Sequence, residues 1–175
     1  ALHGPPDNRP VRIDLVYRRV LINDIVERPD ECAALVRAYE ARAVCVANTF
    51  QCKLPHKKAF FAVLTDPRHA GLFTPSERAV IAAHVPWTRV VAERRTVKGG
   101  AEADLLELAR RERERLVLKP NDEYGGSGIV LGWETSQSDW ESSLQLALSE
   151  PYIVQERIVL PTEAYPSLVD GRLMI

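Results

Sequence analysis

Leu116-Val117-Leu118-Lys119-Pro120-Asn121-Asp122-Glu123-Tyr124-Gly125-Gly126-Ser127-Gly128-Ile129-Val130-Leu131 reads as an apolar strand ending in lysine, a glycine-rich turn, and a second apolar strand. These parts suit a bound phosphate. Glycines let successive backbone N–H groups approach an anion with no side chain in the way, and a lysine at a strand end supplies a point charge while its stem stays buried. The same residues suit an ordinary hairpin, since Gly-Gly-Ser-Gly turns readily and a terminal lysine reaches water. The stretch alone leaves both readings open. It does exclude two other routes to a nucleotide, because the chain contains neither GxxxxGK[ST] nor a GxGxxG following a strand.

Downstream, Ser138-x-x-Glu141 predicts a capped helix with Trp140, Leu144, Ala147 and Leu148 as its apolar face, and Tyr152 to Ile158 predicts a strand. Upstream, a charged helix is expected from Ala101 to about Arg115, after a hinge at Lys98-Gly99-Gly100. Thr88 to Ala92 reads as a strand. Thr74-Pro75-Ser76-Glu77 joins capping-box spacing to proline at the first helical position, which predicts a helix to about His84, with Pro86 beyond it. Pro55 is expected to open a helix that buries Phe60, Val63 and Leu64 and stops at Asp66-Pro67. Between Pro29 and Ala43, Cys32, Leu35, Val36 and Tyr39 recur at amphipathic-helix spacing, and Ile13 to Val20 and Ala43 to Ala47 read as strands. At the far end, Asp170-Gly171 reads as a hairpin turn. The alternation predicts an α+β chain, α/β-like in its order, with two small lobes, each a β-sheet packed with helices. Residues 1–97 form an N-terminal lobe in this reading, 98–160 a central lobe with the glycine loop, and 161–175 the start of a following lobe.

Composition narrows the function. A chain of 175 residues that is 46% hydrophobic has enough apolar content for an ordinary core. A formal net charge of -1, from 23 basic and 24 acidic residues, gives no field to gather nucleic acid or an anionic membrane, and no aromatic-basic strand pattern points to RNA. No segment approaches membrane-spanning length, and the start lacks the basic flank and apolar run of a signal peptide. Cys32, Cys45 and Cys52 are odd in number and lack CxxC spacing, which argues against a disulfide framework and a zinc site, so a cytoplasmic location is expected.

Taken together, Leu116-Val117-Leu118-Lys119-Pro120, the Gly125-Gly126-Ser127-Gly128 turn, a helix, and Tyr152-Ile153-Val154-Gln155-Glu156-Arg157-Ile158 resemble the central lobe of the ATP-grasp superfamily. Asn48-Thr49-Phe50, Pro55-His56-Lys57-Lys58-Ala59 and Val85-Pro86-Trp87-Thr88 extend the resemblance upstream. Ile13-Asp14-Leu15-Val16-Tyr17-Arg18-Arg19-Val20 and Val169-Asp170-Gly171-Arg172-Leu173-Met174-Ile175 are similar to its circularly permuted branch, which includes glutathionylspermidine synthase-like carboxylate-amine ligases.

The resemblance implies ATP as cofactor. It assigns Lys119 and Lys58 to the phosphates, with Lys57 as the adjacent alternative to Lys58. Gly125, Gly126, Ser127 and Gly128 then cover the phosphates, and Gln155, Glu156 and Ile158 meet the adenine edge. It implies magnesium as well, with ligands expected on a strand past Ile175, so that the 175 residues alone are expected to lack ligase turnover. The reaction implied is phosphorylation of a carboxylate, followed by capture of the acyl phosphate by an amine; neither substrate is legible. Arg18 and Arg19, two guanidiniums at a strand end, are candidate catalytic groups for a carboxylate or phosphate, with a surface ion pair as the alternative reading. The competing function is a non-catalytic nucleotide-binding or protein-interaction module of similar shape.

Overall fold

The computed structural model describes residues 11–174 of the chain. The fold is α+β, and two compact units divide it, Ala1–Lys57 and Lys58–Ile175.

In the first unit, β1 (Leu15–Tyr17) and β2 (Cys45–Ala47) pair in parallel, joined by a crossover through α1 (Ile22–Glu27) and α2 (Pro29–Glu40). Proline at the start of α2 needs no N–H partner, and Arg37 lies in its last turn, where a cation favours the helix dipole. Cys32, Leu35, Val36 and Tyr39 are all partly buried, as their spacing predicts. Tyr39 meets Phe50 edge-on at 4.7 Å and donates its hydroxyl to Gln51 Oε1 at 2.7 Å, holding the loop after β2 against α2. Asn48, at φ 59°, turns the chain there, a conformation asparagine tolerates. The unit ends in a single 3-10 turn, Phe50–Cys52, and α3 (Lys53–His56).

The second unit opens with α4 (Ala59–Thr65) and α5 (Pro75–His84), the latter closed at its start by the Thr74–Glu77 capping box. An antiparallel sheet follows in the order β3 (Thr88–Val90), β8 (Tyr152–Glu156), β6 (Leu116–Pro120), β7 (Val130–Leu131). Between β3 and β6, β4 (Arg95–Lys98) and β5 (Ala101–Asp104) form a separate hairpin leading into α6 (Leu105–Arg111). α7 (Gln137–Ser149) connects β7 to β8, and β9 (Ser167–Val169) and β10 (Arg172–Met174) make a last hairpin. Its Asp170 and Gly171 both take positive φ, 49° and 75°, as the Asp-Gly pair predicts for a two-residue turn.

One face of the sheet carries the core. Leu116, Leu118, Tyr152 and Val154 meet Leu105, Leu108 and Ala109 of α6 and Trp140, Leu144 and Ala147 of α7. Trp140 is fully buried, and its indole N–H donates to Ala109 O at 3.0 Å, so burying the ring leaves no donor unsatisfied. α4 packs on β3 and β8, with Ala62 buried. A polar staple ties the end of α4 to the next strands. The side chain of Asp66, 7% exposed, accepts from Arg68 and Arg94 at 2.9 Å each and lies 3.9 Å from the buried Arg89. Arg89 in turn donates to Thr96 Oγ1 at 2.8 Å and Val97 O at 2.9 Å.

Several local expectations change. Residues 101–104 are strand rather than the start of a long charged helix, because Asp104 accepts from the Leu106 and Glu107 N–H groups and starts α6 there. Ser136 caps α7 instead of Ser138, accepting from Asp139 N at 3.1 Å, and so starts the helix two residues earlier. Gly99 and Gly100 form the β4–β5 hairpin turn, while the units divide between Lys57 and Lys58. The helix expected from Pro55 is broken at Lys57, whose ψ of 131° is extended; the Lys58 and Ala59 N–H groups beyond it turn to Asn121. Phe60 is 43% exposed rather than buried, and Ala62 takes the inward position on α4.

Candidate functional site

Lys119 sits one residue from the end of β6, partly buried, and its Nζ donates to Gln155 Oε1 at 2.8 Å. The register pairs Lys119 with Ile153, so Gln155 is one diagonal step away on the same face of the sheet. Gln155 is buried. Its Nε2 donates to Thr88 Oγ1 at 2.8 Å, and the Thr88 hydroxyl donates to Pro86 O at 2.9 Å. Burial lowers the Lys119 pKa below the usual lysine value, and the positive charge of Lys58 lowers it further.

Lys58 reaches this place from the start of α4. Its N–H donates to Asn121 O at 2.9 Å, the next N–H, of Ala59, donates to Asn121 Oδ1 at 2.8 Å, and its Nζ donates to Glu123 O. Asn121 is itself held by its own N–H on Pro151 O at 2.8 Å. The chain leaving β6 after Lys119 therefore anchors Lys58, near enough for its charge to act on Lys119.

The turn has a free end and a clamped end. Gly125, Gly126 and Gly128 adopt φ of 66°, 84° and 67°, a region that side chains other than glycine's enter only with strain. A Cβ on Gly125 or Gly126 would meet nothing within 4 Å, whereas one on Gly128 would lie 2.6 Å from Pro120 Cγ and 3.0 Å from the Tyr152 hydroxyl. That hydroxyl donates to Gly128 O at 3.4 Å. Ser127 N–H closes the turn on Tyr124 O at 3.3 Å.

Of the residues singled out in the sequence, Lys119 and Gln155 are in contact, Lys58 acts on Lys119, and Gly128 packs beside Pro120 and Tyr152. Glu156 points to the opposite face from Gln155, as successive strand residues do, with its carboxylate 3.5 Å from Lys98 Nζ. Beside it lies a cleft of about 620 Å³ lined by Trp87, Lys98, Ala103, Arg111, Glu112 and Arg115. Lys98 also holds Glu112 at 2.7 Å, and that hydrogen bond is the main reason the Glu112 pKa falls below the usual carboxylate range. Ile158 lies past the end of β8 and is 60% exposed.

Arg18 and Arg19 belong to the first unit. Arg18 is buried and donates to Asn48 O at 2.8 Å, to Val20 O and to Cys52 Sγ at 3.2 Å, with Phe50 5.6 Å from its guanidinium. It fastens the end of β1 to the loop after β2, while Arg19 faces solvent. Sequence reading missed Asn121, Thr88 and Tyr152. Asparagine directly after Lys119-Pro120 was a usable signal, since asparagine is a frequent helix-capping residue; Thr88 and Tyr152 carry no mark beyond strand composition.

Among the described residues no three His, Cys, Asp or Glu side chains group to hold a metal ion, and no helix is long and apolar enough to cross a membrane. No protein-family model, curated protein or solved structure matches the chain.

Proposed function

We propose that the second unit binds the phosphates of ATP between Lys58 and Lys119 beneath the Gly125–Gly128 turn, as the nucleotide-holding part of a carboxylate-amine ligase of the circularly permuted ATP-grasp kind. Two lysines whose charges act on each other, one of them hydrogen-bonded to Glu123 just before the glycine turn, carry this reading. A hairpin of no function has no use for two ammonium groups that raise each other's energy, whereas a triphosphate turns that repulsion into binding. The neutral amide that holds Lys119 leaves its charge available. The open positions Gly125 and Gly126 let the turn settle on an anion with backbone N–H groups close to it.

In the ligase reaction a substrate carboxylate attacks the terminal phosphorus, ADP leaves, and an amine attacks the acyl phosphate carbon and expels phosphate. Lys58 and Lys119 offset the charge that accumulates on the phosphate oxygens in the first step. Magnesium, when bound, supplies further neutralisation there. Among the described residues no three His, Cys, Asp or Glu side chains group to hold it.

Calorimetric titration with ATP tests the reading. Binding is expected, and Lys119→Ala is expected to weaken it by about 1.5 to 3 kcal/mol, roughly tenfold to a hundredfold. Binding that is indifferent to both Lys119→Ala and Lys58→Ala would remove the lysines from the site and end the proposal.

A further inference from the structure

The Gln155 side chain is held at both ends of its amide. Thr88 has one hydroxyl proton, and it goes to Pro86 O. Toward Gln155, Thr88 Oγ1 therefore offers only lone pairs, and Gln155 must present its NH2 group there, at 2.8 Å. The amide cannot turn over. In the flipped orientation its oxygen would face the Thr88 lone pairs and its NH2 group would face the Lys119 ammonium. One oxygen, Oε1, is consequently directed at Lys119 Nζ at 2.8 Å. Thr88 is fully buried and Gln155 is 7% exposed, so water cannot substitute at the Thr88 end of the amide, while Lys119 is partly buried.

We infer that Gln155 is a positioning residue that aims Lys119 without neutralising it: Pro86 O, Thr88 and Gln155 form a one-way relay that ends in a neutral acceptor beneath the ammonium. Glutamate in the same place would aim Lys119 as well, but it would form an ion pair and cancel the charge. It would also put a carboxylate oxygen against Thr88 Oγ1 and pull the hydroxyl proton away from Pro86 O. Leucine would keep the charge and lose the aim. Glutamine does both, which suits a lysine whose target is an anion. Lys58 is the charged neighbour that acts on Lys119 from the start of α4; with burial, its charge works against the ammonium, and a neutral acceptor, unlike a carboxylate, does not offset that. The inference rests on reading Lys119 as a phosphate contact, yet its local content, a directed and un-neutralised ammonium, is measurable without any nucleotide.

The test compares wild type, Gln155→Glu, Thr88→Val and Thr88→Ser in the full 175-residue chain. Lysines are labelled by reductive 13C-methylation, and the Lys119 signal is assigned by its loss in Lys119→Arg. The readouts are the Lys119 titration, ATP affinity by calorimetry, and the thermal midpoint. Gln155→Glu is expected to move the Lys119 titration to higher pH and to weaken ATP binding by about tenfold or more, with the thermal midpoint unchanged or raised. Thr88→Val, which frees the amide to turn, is expected to weaken binding, and Thr88→Ser, which keeps the hydroxyl, to restore it. A Lys119 titration unmoved by Gln155→Glu overturns the inference, and so does weakened binding that merely tracks a fallen thermal midpoint across the variants. If wild type binds no ATP, the proposed function fails while the titration still decides the role of Gln155.

Discussion

Asn121 Oδ1 accepts the Ala59 N–H at 2.8 Å, so the residue two places after Lys119 starts the helix whose preceding residue is Lys58. One asparagine thereby sets the position of both lysines. Replacing it with alanine removes this acceptor, while its backbone bond to Lys58 N depends only on the loop's path.

Asn121→Ala is expected to destabilise the second unit by about 1 kcal/mol, the usual loss for a capping side chain. Its effect on ATP is expected to be larger in proportion, because Lys58 loses its fixed origin. Thermal unfolding and calorimetry on the same sample separate the two effects. Lost stability with intact ATP affinity would make Asn121 purely structural.

Gly128 and Gly126 are expected to respond differently to alanine. At Gly128 the methyl group collides with Pro120 Cγ, and stability is expected to fall by about 1–3 kcal/mol. At Gly126 the space is open and only the positive φ resists, so the penalty is expected to be about 1 kcal/mol, with ATP binding the more affected property. Equal stability losses at the two positions would contradict the division into a clamped and a free end.

Asp66→Asn removes the countercharge from Arg89, which is 1% exposed, and from Arg94. Leaving a buried cation uncompensated is strongly destabilising, about 3–5 kcal/mol. Arg68→Ala should matter far less, since that side chain is 62% exposed. Urea denaturation of both variants checks the ranking, and a reversed order would show that Arg89 is satisfied by its carbonyl and threonine partners alone.

The Lys98–Glu112 pair has a pH signature. The Glu112 pKa is lower folded than unfolded, so its contribution to stability is fully present above the ordinary carboxylate pKa and disappears as pH falls through the lowered folded value. Glu112→Gln is therefore expected to lower stability at neutral pH and to flatten the acid limb of the stability curve. Superimposable acid limbs for the two proteins would show that the pair is too well solvated to matter.

Much of the second unit was legible in the sequence because its signals are local. Strand β6, the capped start of α5, the apolar face of α7 and the Asp170-Gly171 turn each depend on residues close together in the chain, and each lies where it was expected. Strand ends were not legible. The second apolar strand after the glycine turn is only Val130–Leu131, because Gly132 turns the chain there with Arg113 O only 2.0 Å from where a Cβ would stand. The approach of Lys58 to Lys119 was not legible, since it depends on Asn121 bonding across 62 residues. Arg18 failed as a guide for a related reason. Its acceptors are the nearby Val20 carbonyl and, from the distant loop, the Asn48 carbonyl and the Cys52 sulfur, a set that no residue pattern announces.

The strand order β3-β8-β6-β7 also sets a timetable for synthesis. β8 is the last of these strands to be made, yet it lies between β3 and β6, which have no pairing with each other. While the chain is being translated, β6 can pair only with the two residues of β7, and Lys119 has no partner until Gln155 emerges. The sheet cannot close from its beginning toward its end; it must wait for its centre. Pairings this distant in sequence are slow to form. A nascent chain halted before Tyr152 thus leaves unpaired the edge of β6 that β8 will take, although α6 and α7 are already made, and the Lys119–Gln155 contact comes into being in the same event that completes the sheet.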